Sequence, residues 1–283
     1  MLAHEFMRNA LLAGTAVSLA CGVAGYFVVL RAQIFAGDAL SHVAFTGALA
    51  AAAAGLDVRL GLFVATVAVG IGIGLLGQRA RPDDVVVGSV FVWVLGLGTL
   101  FLAIFTTGPS GADGTAAVRV LFGSILGLSG PDARLAAAIA VAATLALLLL
   151  ARPLLFASLD PEVARGLGVP VRVLGVIFLA LLGVVAAEAT QAVGALLLLG
   201  LLAAPGGAAR LLTANPWRGL ALSGLLAVAS TWAGLALSYR VDSLPASSAV
   251  IGCATAVFVL AAVVAWLRSR GLGRSRAEAT IVA

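Results

Sequence analysis

The chain has 283 residues, of which 62% are hydrophobic and 10% charged, with a mean hydropathy of +1.17 and a formal net charge of +5. Soluble domains carry about 25% charged residues, so this is the composition of an integral membrane protein. All 17 basic residues are arginine. The absence of lysine excludes a GxxxxGK[ST] phosphate-binding loop and any lysine-nucleophile mechanism, so any ATP-driven step belongs to another chain.

Nine apolar segments follow in order: Asn9–Leu30, Ile34–Leu56, Leu60–Leu76, Val85–Phe105, Leu135–Ala151, Val173–Ala187, Val193–Ala209, Leu220–Leu237 and Ala249–Leu267. Several fall short of the ~20 residues of a simple span. The expected fold is an all-α membrane protein, a bundle of eight or nine transmembrane helices forming one membrane domain over residues 1–283. The N-terminal stretch lacks a signal-peptide cleavage pattern and reads as part of the first helix.

The first span carries Cys21, and the last carries Cys253. Two cysteines inside apolar runs make neither a disulfide framework nor a CxxC metal motif. The second span opens on Phe35-Ala36-Gly37-Asp38-Ala39-Leu40-Ser41-His42, a polar island. Asp38 and His42 are four residues apart and share one helix face. A carboxylate and an imidazole on one face are two ligands of a transition-metal site. The competing reading is that Asp38 only fixes the tautomer of His42 or caps a half-helix after Gly37. Ser41, beside the pair, is a candidate pathway residue.

Gly70, Gly72 and Gly74 lie two apart in the third span, and small residues let helices approach closely in lipid. Thr107 to Gly130 is the longest loop on its side, with an interfacial or re-entrant second half. In the stretch 152–172, Asp160-Pro161-Glu162 reads as a helix start, with Asp as cap, Pro at the first helical position and Glu suiting the dipole. Val163-Ala164-Arg165 continues that helix, and Gly166 and Gly168 end it. The reading is either a surface connector or a docking helix for a soluble partner. Glu188 and Gln191 fall in a five-residue turn between two short spans, read as a solvated turn or as pathway residues near a mouth. Pro205 and Gly206 close the seventh segment as a packing feature or as a helix break that opens backbone to a pathway.

Twelve arginines, Arg31, Arg152, Arg165 and Arg172 among them, share one set of loops, against five on the other. The positive-inside rule places the first set, and the C-terminus, in the cytoplasm. Arg59, Arg119 and Arg240, with Asp57, Asp113 and Asp242, then face outside, where they either dock a binding protein or only solvate loops.

GDALSH at Gly37–His42 and LDPEVARGLGVP at Leu159–Pro170 together resemble the permease subunits of ABC importers for zinc, manganese and related metals. VGALLLLGLLAAPGGAARLL at Val193–Leu212, LFGSILGLS at Leu121–Ser129 and the Leu244-Pro245 turn resemble further motifs of that family. Ala246 after the late Pro, the Gly206-Gly207 pair and Glu188 depart from its pattern. The resemblance implies a fold similar to the cobalamin and siderophore importer permeases. It implies a homodimer in the cell membrane, a cytoplasmic ATPase dimer that uses the ATP, and an extracytoplasmic metal-binding protein, with no nucleic-acid partner. It makes Asp38 and His42 contacts for a transported divalent ion, and the loop with Asp160, Glu162, Arg165, Gly166 and Gly168 the ATPase-coupling loop. The cargo it implies is zinc first, with manganese or iron as alternatives, and no permanently bound cofactor. The chain itself is then not an enzyme. An ion-coupled secondary transporter or channel is the other reading of the same residues.

Overall fold

The computed structural model describes residues 4–76, 84–107, 123, 125–195, 198–241 and 243–281, with side chains described as far as residue 269. Helices account for nearly all of it: α1 (Glu5–Leu30), α2 (Ile34–Ala53), α3 (Val58–Leu76), α4 (Asp84–Thr107), α5 (Gly130–Leu149), α6 (Ala151–Leu159), α7 (Pro161–Gly166), α8 (Val171–Ala192), α9 (Leu198–Leu212), α10 (Pro216–Arg240) and α11 (Ala246–Ile281). A short 3₁₀ turn, Ile125–Gly127, precedes α5. Each of the nine apolar segments contains one of these helices, the seventh only from Leu198 onward. Eight of those helices have the length and hydropathy to cross a membrane, and α9, with 15 residues, is shorter.

Helix α1 is the hub. It packs against α5, α8, α9 and α10, while α2 packs between α3 and α4 and α11 lies against α9 and α10. Burial follows this order: α1, α2 and α8 are mostly enclosed, and α4 and α11 show most of their apolar surface to the outside. Polar backbone cannot face hydrocarbon, so helices are the only spanning solution for an open bundle.

Close approach depends on glycine at the α1–α9 crossing. A Cβ on Gly206 would stand 2.7 Å from the carbonyl oxygen of Gly25, and Gly25 itself faces the Leu202 backbone. Helix α9 runs through Pro205 without ending, and Gly206 serves the close packing against α1. Gly70 and Gly74 likewise meet the backbone of α8, at Leu179 and Val176.

Helix ends sort onto two faces. Arg31 reaches Ser158, and Arg172 donates to the Leu75 carbonyl at 3.1 Å, so the ends of α1 and α3 share a face with α6 and the start of α8. On the opposite face Arg59 at the start of α3 meets Glu188 near the end of α8 and Asp132 at the start of α5.

The stretch 152–172 is more helical than expected, since α6 fills its first half. Pro153 has no N–H to give the Leu149 carbonyl, so α5 ends and a new helix starts across Leu150. Arg31 is not a solvated loop residue; it is 3% exposed. Most of the Thr107–Gly130 loop, along with Arg119, Asp113 and Asp242, lies outside the described residues.

Candidate metal pathway site

Helix α2 is continuous from Ile34, so Gly37 marks no break and Asp38 caps no half-helix. At 1.5 Å per residue, Asp38 lies about 6 Å and His42 about 12 Å along the axis from Ile34. The helix is roughly 30 Å long, the thickness of a hydrocarbon core. The pair therefore occupies the first half of the span on the face that carries Arg31.

One stripe of α2 is left open. Ile34 and Phe35 are exposed, Asp38, His42 and Phe45 are half-buried, and most other positions from Ala36 to Leu49 are buried. Residues 34, 38, 42 and 45 recur at helical spacing, so the ligand candidates stand on the only open side of this enclosed stretch. The His42 ring meets Phe91 of α4 edge to face at 5.1 Å, and Phe35 does the same at 5.7 Å. Thr46 fastens the two helices further along by donating to the Val94 carbonyl at 3.1 Å. Aromatic contact fixes the imidazole plane without using its nitrogens. Among the described residues, neither the Asp38 carboxylate nor the His42 ring has an ion-pair or hydrogen-bond partner.

Ser41 does not share that stripe. It is fully buried, and its hydroxyl donates to the Asp38 carbonyl at 2.6 Å. No group of three His, Cys, Asp or Glu side chains gathers among the described residues. One chain thus presents two candidate ligands among the described residues.

Glu188 and Gln191 are not in a turn. Helix α8 continues to Ala192, and Glu188 is 2% exposed. Its Oε1 accepts from Arg59 Nη2 at 2.7 Å, and Arg59 Nη1 lies 3.9 Å from Asp132. Arg59 is therefore an internal counter-ion and not a solvated loop residue. The sequence offers helix-forming Ala, Glu and Gln here, but an end chosen by hydropathy stops short of them. Gln191 lies half-buried one turn beyond the pair.

The coupling segment folds as its residues demand. Asp160 Oδ1 accepts from the Val163 N–H at 3.0 Å, Pro161 opens the helix, and Glu162 pairs with Arg165 at 3.1 Å. Beyond Gly166, Gly168 turns the chain with φ of +80°. Ala164 is buried and anchors the helix. Leu159, Val163 and Leu167 are 59%, 49% and 71% exposed and four residues apart, an outward apolar stripe. That spacing was present in the sequence but is masked by the polar cap around it.

A bundle of apolar spans with an ionisable pair on one inner helix and a short helix projecting from the same face defines a polytopic membrane permease. The chain belongs to the ABC 3 transport family, which matches residues 3–265. It is 32% identical to the manganese transport system membrane protein MntC of Halalkalibacterium halodurans, covering 92% of this chain and 88% of that one. It is 30% identical to a probable iron transport system membrane protein of Haemophilus influenzae, covering 95% and 97%. Among solved structures it is similar to PsaBC from Streptococcus pneumoniae in complex with Fab, with a TM-score of 0.78, 25% identity and 91% of each chain covered. A putative metal-chelate type ABC transporter in an inward-facing conformation shares the fold, with a TM-score of 0.64. The motif-based resemblance to metal ABC importer permeases is thereby borne out.

Proposed function

We propose that this chain moves a divalent transition-metal ion across the cell membrane by alternating access, powered by a separate cytoplasmic ATPase dimer. The observation that carries the proposal is the Asp38–His42 pair on the half-buried stripe of α2, with no ion-pair or hydrogen-bond partner among the described residues. An intramembrane ionisable pair is costly and signals a pathway. Mixed oxygen and nitrogen ligands suit Mn²⁺, Fe²⁺ and Zn²⁺ alike. The manganese and iron names of the relatives favour those two ions over zinc.

Two ligands make a weak site, which suits an ion that must be released. A second copy apposed at the open stripe would add another carboxylate and imidazole, so the working unit is a homodimer. The exposed Leu159, Val163 and Leu167 beside Asp160, Glu162 and Arg165 form the surface on which the ATPase docks. That face is cytoplasmic, as the arginine distribution requires, and the C-terminus lies on it. An extracytoplasmic binding protein delivers the ion to the opposite face. The whole chain acts as one permease domain, ATP is consumed by the partner, and no cofactor is resident. Glu188 and Gln191 support the opposite mouth of the pathway, with Glu188 held by Arg59. Ser41 steadies the second turn of α2 through the Asp38 carbonyl. An ion-coupled secondary transporter has no use for the docking stripe.

The test uses the complete importer in proteoliposomes. Asp38→Asn should lower Mn²⁺ uptake by about a hundredfold, the equivalent of roughly 3 kcal/mol, while the ATPase still co-purifies. Uptake equal to wild type overturns the site. Uptake without the ATPase overturns the energy source. Competition among Mn²⁺, Fe²⁺ and Zn²⁺ ranks the cargo.

A further inference from the structure

We propose that Arg31 is a positioning residue that links the α6–α7 unit to α2, so that movement of the docked ATPase reaches Asp38 and His42. This rests on the reading of α7 as the docking helix. Arg31 caps the C-terminus of α1 and is nonetheless 3% exposed. Its Nη1 donates to Ser158 Oγ at 3.4 Å, and its guanidinium carbon lies 5.4 Å from the Phe178 ring centroid on α8. Ser158 spends its own proton on the Leu154 carbonyl at 2.5 Å, which leaves its lone pairs to accept from Arg31.

Both sides of this contact are short in sequence. Ser158 is two residues before Asp160, the cap of α7. Arg31 is three residues before Ile34, the first residue of α2. The intervening turn has no slack: Ala32 N–H bonds the Val29 carbonyl at 3.2 Å and Gln33 N–H bonds the Val28 carbonyl at 2.8 Å. The Arg31 side chain and this closed turn therefore give a shift of α6 a short route to the start of α2, beside the packing of α6 on α1 and α8.

Burying a guanidinium costs several kcal/mol before its partners offset it. A Met or Leu would fill the same space without that cost, and a residue serving only to mark the cytoplasmic side would be exposed, as Arg152 and Arg172 are. Arginine can bond the hydroxyl and lie over the ring at once, because its fork is planar; lysine cannot do both. The bland alternative is a staple that stabilises the fold and transmits nothing.

The two readings separate in the complete importer in proteoliposomes, with Mn²⁺ as the probe and both uptake and ATP hydrolysis measured. Arg31→Lys should leave assembly and ATP hydrolysis near wild type and lower Mn²⁺ uptake per ATP by about tenfold, the usual size of a coupling between sites. Ser158→Ala, which removes one oxygen from α6, should shift the ratio in the same direction by less. A ratio unchanged in Ser158→Ala, or uptake and hydrolysis falling together in both variants, overturns the proposal. Should Arg31→Lys fail to assemble, the Ser158→Ala ratio decides alone. Leu167→Asp guards the underlying reading: if the ATPase still binds that variant, the docking surface is wrong whatever Arg31 does.

Discussion

At the scale of single residues, the turn between α1 and α2 shows the cost of holding a site helix in place. Ala32 has φ of +54°, the one non-glycine residue with positive φ among those described. The 6→1 and 5→2 bonds around it form a Schellman end, whose αL position is usually glycine. A Cβ there costs about 1–2 kcal/mol, and glycine would return part of that as extra freedom of the unfolded chain. Ala32→Gly should therefore stabilise the purified chain by about 0.5–1 kcal/mol in reversible unfolding; a loss of stability would show that the methyl group packs usefully. Asp38 and His42 were legible as a pair because four-residue spacing is a purely local property. Their missing partners were not, since only the fold shows which flank of α2 is left open.

At the scale of elements, nine helices were legible because long apolar runs admit no other structure in lipid. What escaped was polar helix. Residues 188–192 continue α8 although they are not hydrophobic, and α6 begins at Ala151 just before Arg152 and Pro153. The Arg59–Glu188 pair was beyond reach, because its members are 129 positions apart. That pair joins the first turn of α3 to the end of α8 with each charge against its own helix dipole. It is therefore a specific clasp between helix ends and gains nothing from either helix alone. Removing Glu188 leaves the partly buried Arg59 with only the more distant, exposed Asp132, so Glu188→Leu should destabilise the solubilised chain by about 1–2 kcal/mol. The double variant Glu188→Leu with Arg59→Met should recover most of that loss. A double variant as unstable as the single would mean that the pair is net stabilising and not merely self-compensating.

At the scale of the whole molecule, hydropathy and arginine counts gave a correct order of helices, and the contacts at the helix ends agree with the loop assignments. The ligand pair is organised differently from the core. The enclosed helices bury their apolar faces within one chain, while α2 leaves its most polar stripe uncovered. A lone copy in the bilayer thus presents a carboxylate and an imidazole where hydrocarbon would otherwise lie, at about 2.5–3.5 kcal/mol for the aspartate if it sits centrally. In the proposed homodimer a second copy covers that stripe. On that reading a lone chain keeps the Asp38–His42 stripe unpaired in the bilayer, and membrane proteolysis should remove lone chains faster than assembled ones. Pulse-chase labelling should show a longer half-life when the partner subunits are co-expressed. In Asp38→Leu the lone chain should survive longer than wild type, even though the importer it builds is inactive. Equal decay of the two lone chains would mean that the uncovered stripe is not what the cell inspects. Slower decay of the Asp38→Leu chain would mean that the proposed transport site doubles as a checkpoint on assembly, keeping unpaired subunits scarce.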